Sequence, residues 1–468
     1  MTITTAAAQE RTRILIVGGG YVGMYTALRL QKKLRRELKA GKVEVIVVDP
    51  RSYMTYQPFL PEAAAGSVEP RHVVVPLRRV LKHCEVLTGR VESLDHVRRV
   101  ARVQPMRGEA YDLSYEVVVV APGSIARTLP IPGLADLGIG FKQVEEAIAL
   151  RNQVLDKLDI ATSVADHAAR RRLLTFVFVG GGYSGIEALA ELEDMAMYAT
   201  RYYPELSKGD IRFVLVEATG RILPEVGEDL GRYTVGELVK RKIDVRLNTR
   251  LVSCIDGHIV LSDGEEFDAE TLVWTAGVRA NPMLTRTGLP LDEKGRVKCR
   301  PDLRVEGVEG AWSAGDGAAV PDLTAGPGAT TGPSAQHAVR QAKVLGSNIA
   351  LVLNGRTPNA YAHKYVGSVA SLGLYKGVAQ VYGVKLRGFP AWFMHRSYHV
   401  SRVPTFNRKA RVVADWTLAS LFRREVVSLG QLQDPRREFV FAANTGRAGQ
   451  LPPPRVDQAT ALPPTGTA

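Results

Sequence analysis

Two stretches of the chain share one pattern of apolar and polar positions. RILIVGGG (13–20) and LLTFVFVGGG (173–182) are apolar runs that end in glycine. Each passes into a helix-length segment, MYTALRLQKKLRREL (24–38) and GIEALAELEDMAMYA (185–199), and then into a second apolar run, KVEVIVVDP (42–50) and IRFVLVEATG (211–220). Runs that are apolar on both faces suit inner strands of a parallel sheet covered by helices, so each stretch is predicted to form a βαβ unit. YEVVVVAPGS (115–124), LVWTAG (272–277) and GAWSAGDGAAV (310–320) read as further buried strands. From about Lys364 the pattern alternates between glycines (YVGSVASLGLYKGVAQVYGVKLRGF), which predicts a hairpin or meander. Residues 391–427 then interleave aromatic and aliphatic positions with arginine and lysine. The last stretch, GQLPPPRVDQATALPPTGTA, is Pro-rich without periodicity and is expected to be disordered.

The glycines at both strand–helix junctions have a common spacing, Gly18-x-Gly20-x-x-Gly23 and Gly180-x-Gly182-x-x-Gly185. In such a motif the first glycine permits the tight turn, the second admits a pyrophosphate to the backbone, and the third lets helix and strand pack closely. The free N–H groups at the helix start then face the phosphates. Each second strand ends in an acid, Asp49 and Glu217, where a carboxylate accepts from ribose hydroxyls and repels a 2′-phosphate. Glu217 therefore points to NADH, with Arg221 close by as the one opposing feature. Gly123, in a Pro-Gly turn, and Gly277 are candidates for close backbone approach to the two ligands. Asp316, between two glycines, is expected to complete the first domain late in the sequence, at a flavin's ribityl–phosphate region.

Composition narrows the chemistry. The 468 residues suffice for two or three domains, and a net charge of +13 favours anionic partners. No apolar run approaches the roughly 18 to 20 residues of a membrane span, and the N-terminus lacks the apolar core of a signal peptide. Cys84, Cys254 and Cys299 form no close pair, which excludes a redox dithiol of the usual spacing and a structural zinc site. No metal site is expected. Two nucleotide sites without a thiol pair imply direct hydride transfer between a nicotinamide and a bound flavin.

Together with YQPFLPEAAAG (56–66), LVWTAGV and PSAQHAVRQA (333–342), these motifs resemble the two-dinucleotide-binding flavoproteins and, within them, the type II NADH:quinone oxidoreductases. The resemblance covers the chain to about Phe441. It implies an α/β fold of two Rossmann-like domains, an FAD domain interrupted by an NADH domain, plus a C-terminal membrane-associating region. The expected boundaries are 1–160 and 286–385 for the FAD domain and 161–285 for the NADH domain. Residues 386–445 would form the basic amphipathic region, and 446–468 the disordered tail. One non-covalent FAD would occupy the cradle of Gly18, Gly20, Gly23 and Asp49, with Gly123, Asp316 and Gln336; NADH would occupy that of Gly180, Gly182, Gly185 and Glu217, with Gly277.

The resemblance also gives roles. Glu187, read as lying in the first turn of its helix, would serve quinone reduction or proton delivery, although a carboxylate there would also complement the helix dipole. Ala335, Gln336 and Ala338 would line the quinone pocket, with Gln336 offering a neutral amide to a menaquinone or ubiquinone carbonyl. Val339, Arg340, Gln341 and Ala342 depart from the family's continuation of that element, and HRSYHVSRVP departs from its Leu- and Trp-rich C-terminal region. Trp392, Phe393, Tyr398, Phe406, Trp416, Leu418, Leu421 and Phe422 would enter an anionic membrane surface on the cytoplasmic side, peripherally. Arg396, Arg402, Arg408, Lys409, Arg411, Arg423 and Arg424 would face its headgroups. Packing on the protein itself or in a homodimer is the alternative, and no nucleic-acid partner is expected. The rival activities are a soluble NADH:ferredoxin or small-acceptor reductase and a redox-sensing flavoprotein resembling apoptosis-inducing factor. Sulfide:quinone reductase chemistry needs cysteines that are absent at usable spacing.

Overall fold

A computed structural model of the chain describes residues 11–363 and 367–429, with 436, 439, 440 and 442. The expected tail at 446–468 lies outside the described residues. The chain divides into two compact units, each assembled from three segments. Among the described residues, the first takes 11–56, 74–127 and 277–363, and the second takes 57–73, 128–276 and those from 367 onward.

The first unit is built on a seven-stranded sheet. Its order is Ala311–Ser313, Val117–Val120, Thr12–Val17, Val43–Asp49, Glu85–Asp95, Val100–Pro105 and Tyr111–Ser114. The first five strands run parallel, and the last two are added antiparallel. Apolar side chains from both faces of the parallel part, including Ile14, Leu15, Ile16, Val47 and Val119, form the core. The helix Tyr21–Lys33 packs along the helix Ala335–Leu353. Gly346 makes that approach close, since a Cβ there would stand 2.9 Å from the Thr26 carbonyl oxygen. A chain that returns at residue 277 thus completes a sheet begun at residue 12.

The second unit repeats the plan with five parallel strands. Their order is Gly138–Gly140, Thr271–Trp274, Thr175–Val179, Arg212–Val216 and Asp244–Arg246. The helix Tyr183–Ala199 is largely buried, and the short helix Leu60–Ala64 packs against it and against Val144–Ser163. The expected meander is present as three antiparallel strands, Gly367–Ser371, Gly377–Val381 and Val384–Arg387.

Two C-terminal helices follow, Phe389–Arg402 and Phe406–Phe422. Pro390 lies in the first turn of one, where its missing N–H costs nothing, and Pro404 falls in the break between the two. The first helix packs on the meander.

Their interior faces correct the sequence expectation. Trp392 and Arg396 are buried, not directed to a membrane. The Arg396 guanidinium lies 4.3 Å from the Trp392 ring centre and 4.7 Å from that of Trp416, and its Nε is 3.2 Å from Glu62 Oε1. The other oxygen of Glu62 accepts from the Trp416 indole at 2.8 Å. Arg424, also expected at headgroups, instead pairs with the fully buried Glu191 at 3.0 Å. The physical reason is electrostatic: Glu62 and Glu191 are carboxylates inside an apolar interior, and each needs a cation there.

Burial pushes the Glu62 carboxyl up, with Arg396 the main influence holding it down. Removing one member of a buried pair strands the other, so Arg396→Met is expected to destabilise the protein by about 3–5 kcal/mol in denaturant titration. Adding Glu62→Gln to it, which keeps an acceptor for Trp416, should recover part of that loss. Equal stability of Arg396→Met and wild type would contradict the role given to this pair.

Candidate active site

In the first unit the strand Thr12–Val17 lies between Val43–Asp49 and Val117–Val120, so the strand order reverses beside it. In parallel sheets, ligands bind at such a point, beyond the carboxyl ends of the strands. Gly18, Asp49, Gly123 and the Gly315–Gly317 turn all follow the carboxyl ends of neighbouring parallel strands there. Gly18 has φ +99°, and a Cβ on it would stand 2.3 Å from the Ala121 carbonyl oxygen. A Cβ on Gly23 would stand 1.7 Å from the Gly18 oxygen, so the helix can lie this close only without a side chain. Around Gly20 nothing lies within 4 Å of such a Cβ. Gly20 is also the N-cap and supplies no side-chain cap, which leaves backbone donors at the helix start for an anion.

Asp49 accepts from Gly19 N at 2.6 Å and from Arg51 N at 2.7 Å. Burial raises its pKa, against the pull of these two N–H groups and the Arg51 charge. Asp316 accepts from the Ser124 hydroxyl at 2.6 Å. The Gly315 N–H of the same turn donates to Gln341 Oε1 at 2.7 Å, and Gln341 donates in turn to Thr331 Oγ1 at 3.0 Å. Gln341 thus ties the Asp316 turn to its helix, a structural duty that the motif alone did not reveal.

Gln336 lies in the first turn of that helix, where its N–H donates to the Ser334 cap. Arg340 folds back along the helix and donates to the Gln336 carbonyl oxygen at 3.1 Å. Gly277, expected on the NADH side, belongs to the first unit, and its carbonyl accepts from Arg127 N at 3.0 Å.

The second cradle has the same construction. Gly180 has φ +115°, and a Cβ on it would meet the Thr275 carbonyl oxygen at 2.8 Å. A Cβ on Gly185 would meet the Gly180 oxygen at 2.1 Å and Thr275 Oγ1 at 2.5 Å, whereas Gly182 is open. Thr275 therefore supports this turn from below, donating its hydroxyl to Val179 O at 2.9 Å. Glu217 accepts from Gly181 N at 2.6 Å and from Thr219 N at 2.7 Å. Arg221 donates to the Pro224 and Val226 carbonyls, so its guanidinium is held by its own loop. In both cradles the glycines that pack are closed and the glycine that must admit a phosphate is open. This arrangement fits a bound dinucleotide in each.

Glu187 corrects a second expectation. Its helix begins at Tyr183, which puts the carboxylate in the second turn, and no acid occupies the first. It is buried rather than placed to complement the dipole. Glu187 Oε1 accepts from Ser371 N at 2.9 Å and stands 3.1 Å from His395 Nε2.

None of the cysteines is in a disulfide; Cys254 and Cys299 are buried, and Cys84 is half-buried with its thiol pushed up to about 12 by burial. They are inert at neutral pH.

Comparison with known proteins agrees with this geometry. Residues 12–342 match the family described as pyridine nucleotide-disulphide oxidoreductase, the class that the paired cradles define. A type II NADH:quinone oxidoreductase of Staphylococcus aureus is 30% identical over 83% of this chain and 94% of its own. The Mycobacterium tuberculosis type II NADH:quinone oxidoreductase Ndh is 27% identical over 90% of each chain. In fold, the chain matches NDH2 from Plasmodium falciparum, solved in complex with NADH, with a TM-score of 0.81 at 17% identity over 89% of this chain and 100% of that one. The chain belongs to the type II NADH:quinone oxidoreductase family.

The glycines give a paired prediction. Gly23→Ala drives a methyl into backbone and should destabilise the protein by about 1–3 kcal/mol. Gly20→Ala should fold with stability close to wild type and lose most of its bound flavin, read as the flavin-to-protein ratio after purification. Full flavin occupancy in Gly20→Ala would contradict the placement of the phosphates.

Proposed function

We propose that this chain oxidises NADH with the help of one non-covalent FAD and passes two electrons to a membrane quinone, menaquinone or ubiquinone, without moving protons across the membrane. The observation that carries this reading is the doubled cradle, each copy open at its middle glycine, in a chain whose cysteines are too buried or too basic to relay electrons.

A bound flavin supplies the hydride-accepting and two-electron-donating chemistry. The protein's part is to hold and orient. Gly18, Gly20 and Gly23 would present helix donors to the FAD pyrophosphate, Asp49 would take the adenosine ribose, and Asp316 and Gly123 would serve the flavin side of the same molecule. Gly180, Gly182 and Gly185 do the same for NADH, and Glu217 takes its ribose and selects against a 2′-phosphate. In domain terms the sheet of the first unit serves FAD and that of the second serves NADH, so the strand Gly138–Gly140 and residues 277–285 fall across the expected boundaries of 1–160, 161–285 and 286–385. Gln336 offers an uncharged amide to a quinone carbonyl. Glu187 holds a proton for the quinone.

The exposed faces of the C-terminal helices supply the membrane contact, on the cytoplasmic side of the cell membrane. Phe389, Phe393, Leu418, Leu421, Phe406 at 85% exposure and Phe422 at 78% are apolar there, with Arg402, Arg411 and Arg423 exposed among them. An apolar surface edged by cations suits an anionic interface. Among the described residues no helix is long and apolar enough to cross a membrane.

Two experiments test this reading. Glu187→Gln should slow flavin reoxidation by a short-chain quinone about 100-fold while leaving flavin reduction by NADH within a few-fold of wild type. Equal slowing of both half-reactions would remove Glu187 from this role. The protein should also co-sediment with vesicles containing anionic phospholipid. Combined Phe389→Ser, Phe393→Ser, Leu421→Ser and Phe422→Ser should abolish that binding and preserve activity with soluble quinone. Undiminished binding would reject these residues as the membrane contact, and loss of a dimer in place of vesicle binding would assign the patch to a second copy.

A further inference from the structure

Three carboxylates are buried together in the second unit, Glu62, Glu187 and Glu191. Glu62 is matched by Arg396 and Glu191 by Arg424, both permanent cations. Glu187 alone stands beside a group that is not a permanent cation, the His395 imidazole. His395 is 1% exposed, and neither of its ring nitrogens meets a hydrogen-bond partner among the described residues. An imidazole buried in this state, with Nε2 standing 3.1 Å from a carboxylate oxygen outside hydrogen-bond alignment, has capacity that packing does not use.

We propose that His395 is the proton-holding partner of Glu187, the two forming a buried pair that keeps one exchangeable proton for delivery to the quinone. The proposal rests on the reading that places Glu187 in quinone reduction. The stoichiometry suits it: NADH + H⁺ + quinone → NAD⁺ + quinol. The hydride brings two electrons and one proton, so one further proton must come from the protein and be restored from solvent. A carboxylate–imidazole pair holds one such proton whichever member carries it.

The surroundings favour this use. Glu187 Oε1 is fixed by the Ser371 N–H, and Ser371 Oγ reaches Glu191 at 3.3 Å, so the carboxylate is oriented from the meander. Glu62 interacts with His395, and Arg396 and Arg424 offset the charges of Glu62 and Glu191. One helical turn beyond His395, the His399 ring stands edge-on with centres 4.5 Å apart. Burial, reinforced by His395, holds His399 well below the ordinary histidine range. His395 does not itself touch substrate; it is a positioning residue acting through Glu187.

The test uses the flavin-loaded enzyme, NADH and a short-chain benzoquinone. His395→Gln and His395→Asn should slow reoxidation by quinone about 10- to 100-fold, with flavin reduction by NADH unchanged within about twofold. The Glu187→Gln/His395→Gln double variant should be no slower than the slower single variant, because the pair acts as a unit. Independently of turnover, ¹⁵N-histidine NMR should show the His395 Nε2 resonance, assigned with His395→Gln, displaced by Glu187→Gln and its Nδ1 resonance little changed. Multiplicative effects in the double variant, equal slowing of both half-reactions, or an Nε2 resonance indifferent to Glu187→Gln would each overturn the proposal. If Glu187→Gln leaves quinone reduction intact, the placement of Glu187 fails and this inference with it. If Glu187→Gln slows it and His395→Gln does not, only the pairing fails.

Discussion

The structure depends on one close approach made twice: a helix laid so near the preceding strand that no side chain fits between them. At Gly23 the obstacle is the Gly18 carbonyl oxygen, and at Gly185 it is the Gly180 oxygen together with Thr275. That approach brings the helix N-terminus, with its unpaired N–H groups, to the carboxyl edge of a parallel sheet. A pyrophosphate bound there needs no lysine or arginine, because the backbone supplies the donors. The price of the arrangement is conformational, two turns with φ near or above +100° that only glycine adopts readily. Everything else at the site, from the acids after the second strands to the late-returning Asp316 turn, is placed relative to those two helix ends.

A second constraint operates in the unit that carries Glu187. Buried carboxylates from the short helix and the second cradle helix require partners, and the C-terminal helices and the segment after them supply Arg396 and Arg424 as countercharges and His395 as an imidazole neighbour. The same helices present phenylalanine and leucine outward. One element therefore closes the interior around Glu187 with its polar residues and offers an apolar surface with the others. The inward and outward faces belong to the same pair of helices, which is why arginine occurs on both while Trp392 and Trp416 turn inward.

How much of this was legible in the sequence follows from the range of each interaction. The cradles are local: a strand, three glycines, a helix and an acid within about forty positions. Their pattern predicts the parallel sheets, and the Gly-punctuated alternation after Lys364 predicts the meander. The buried polar contacts are not local, for Trp416 and Glu62 are separated by 354 positions and Arg424 and Glu191 by 233. From composition alone, a basic–aromatic stretch reads as a membrane face throughout, and nothing marks Trp392, Arg396 and Arg424 as its inner members. Glu187 was identified as a residue of interest, but its placement in the first helical turn missed that the helix starts at Tyr183, ahead of the third glycine. The sequence marks Gln341 only as a departure from the family pattern and gives Thr275 no role, since each supports a backbone turn rather than meeting a ligand.

Two dinucleotide sites in one chain are expected to join NADH oxidation to quinone reduction. The decisive measurement is anaerobic mixing of the flavin-loaded protein with NADH, followed by addition of a short-chain quinone. Rapid bleaching of the flavin absorbance and its rapid return with quinone are expected. Rapid bleaching with no return would contradict this coupling, and would place the acceptor elsewhere, in a protein partner.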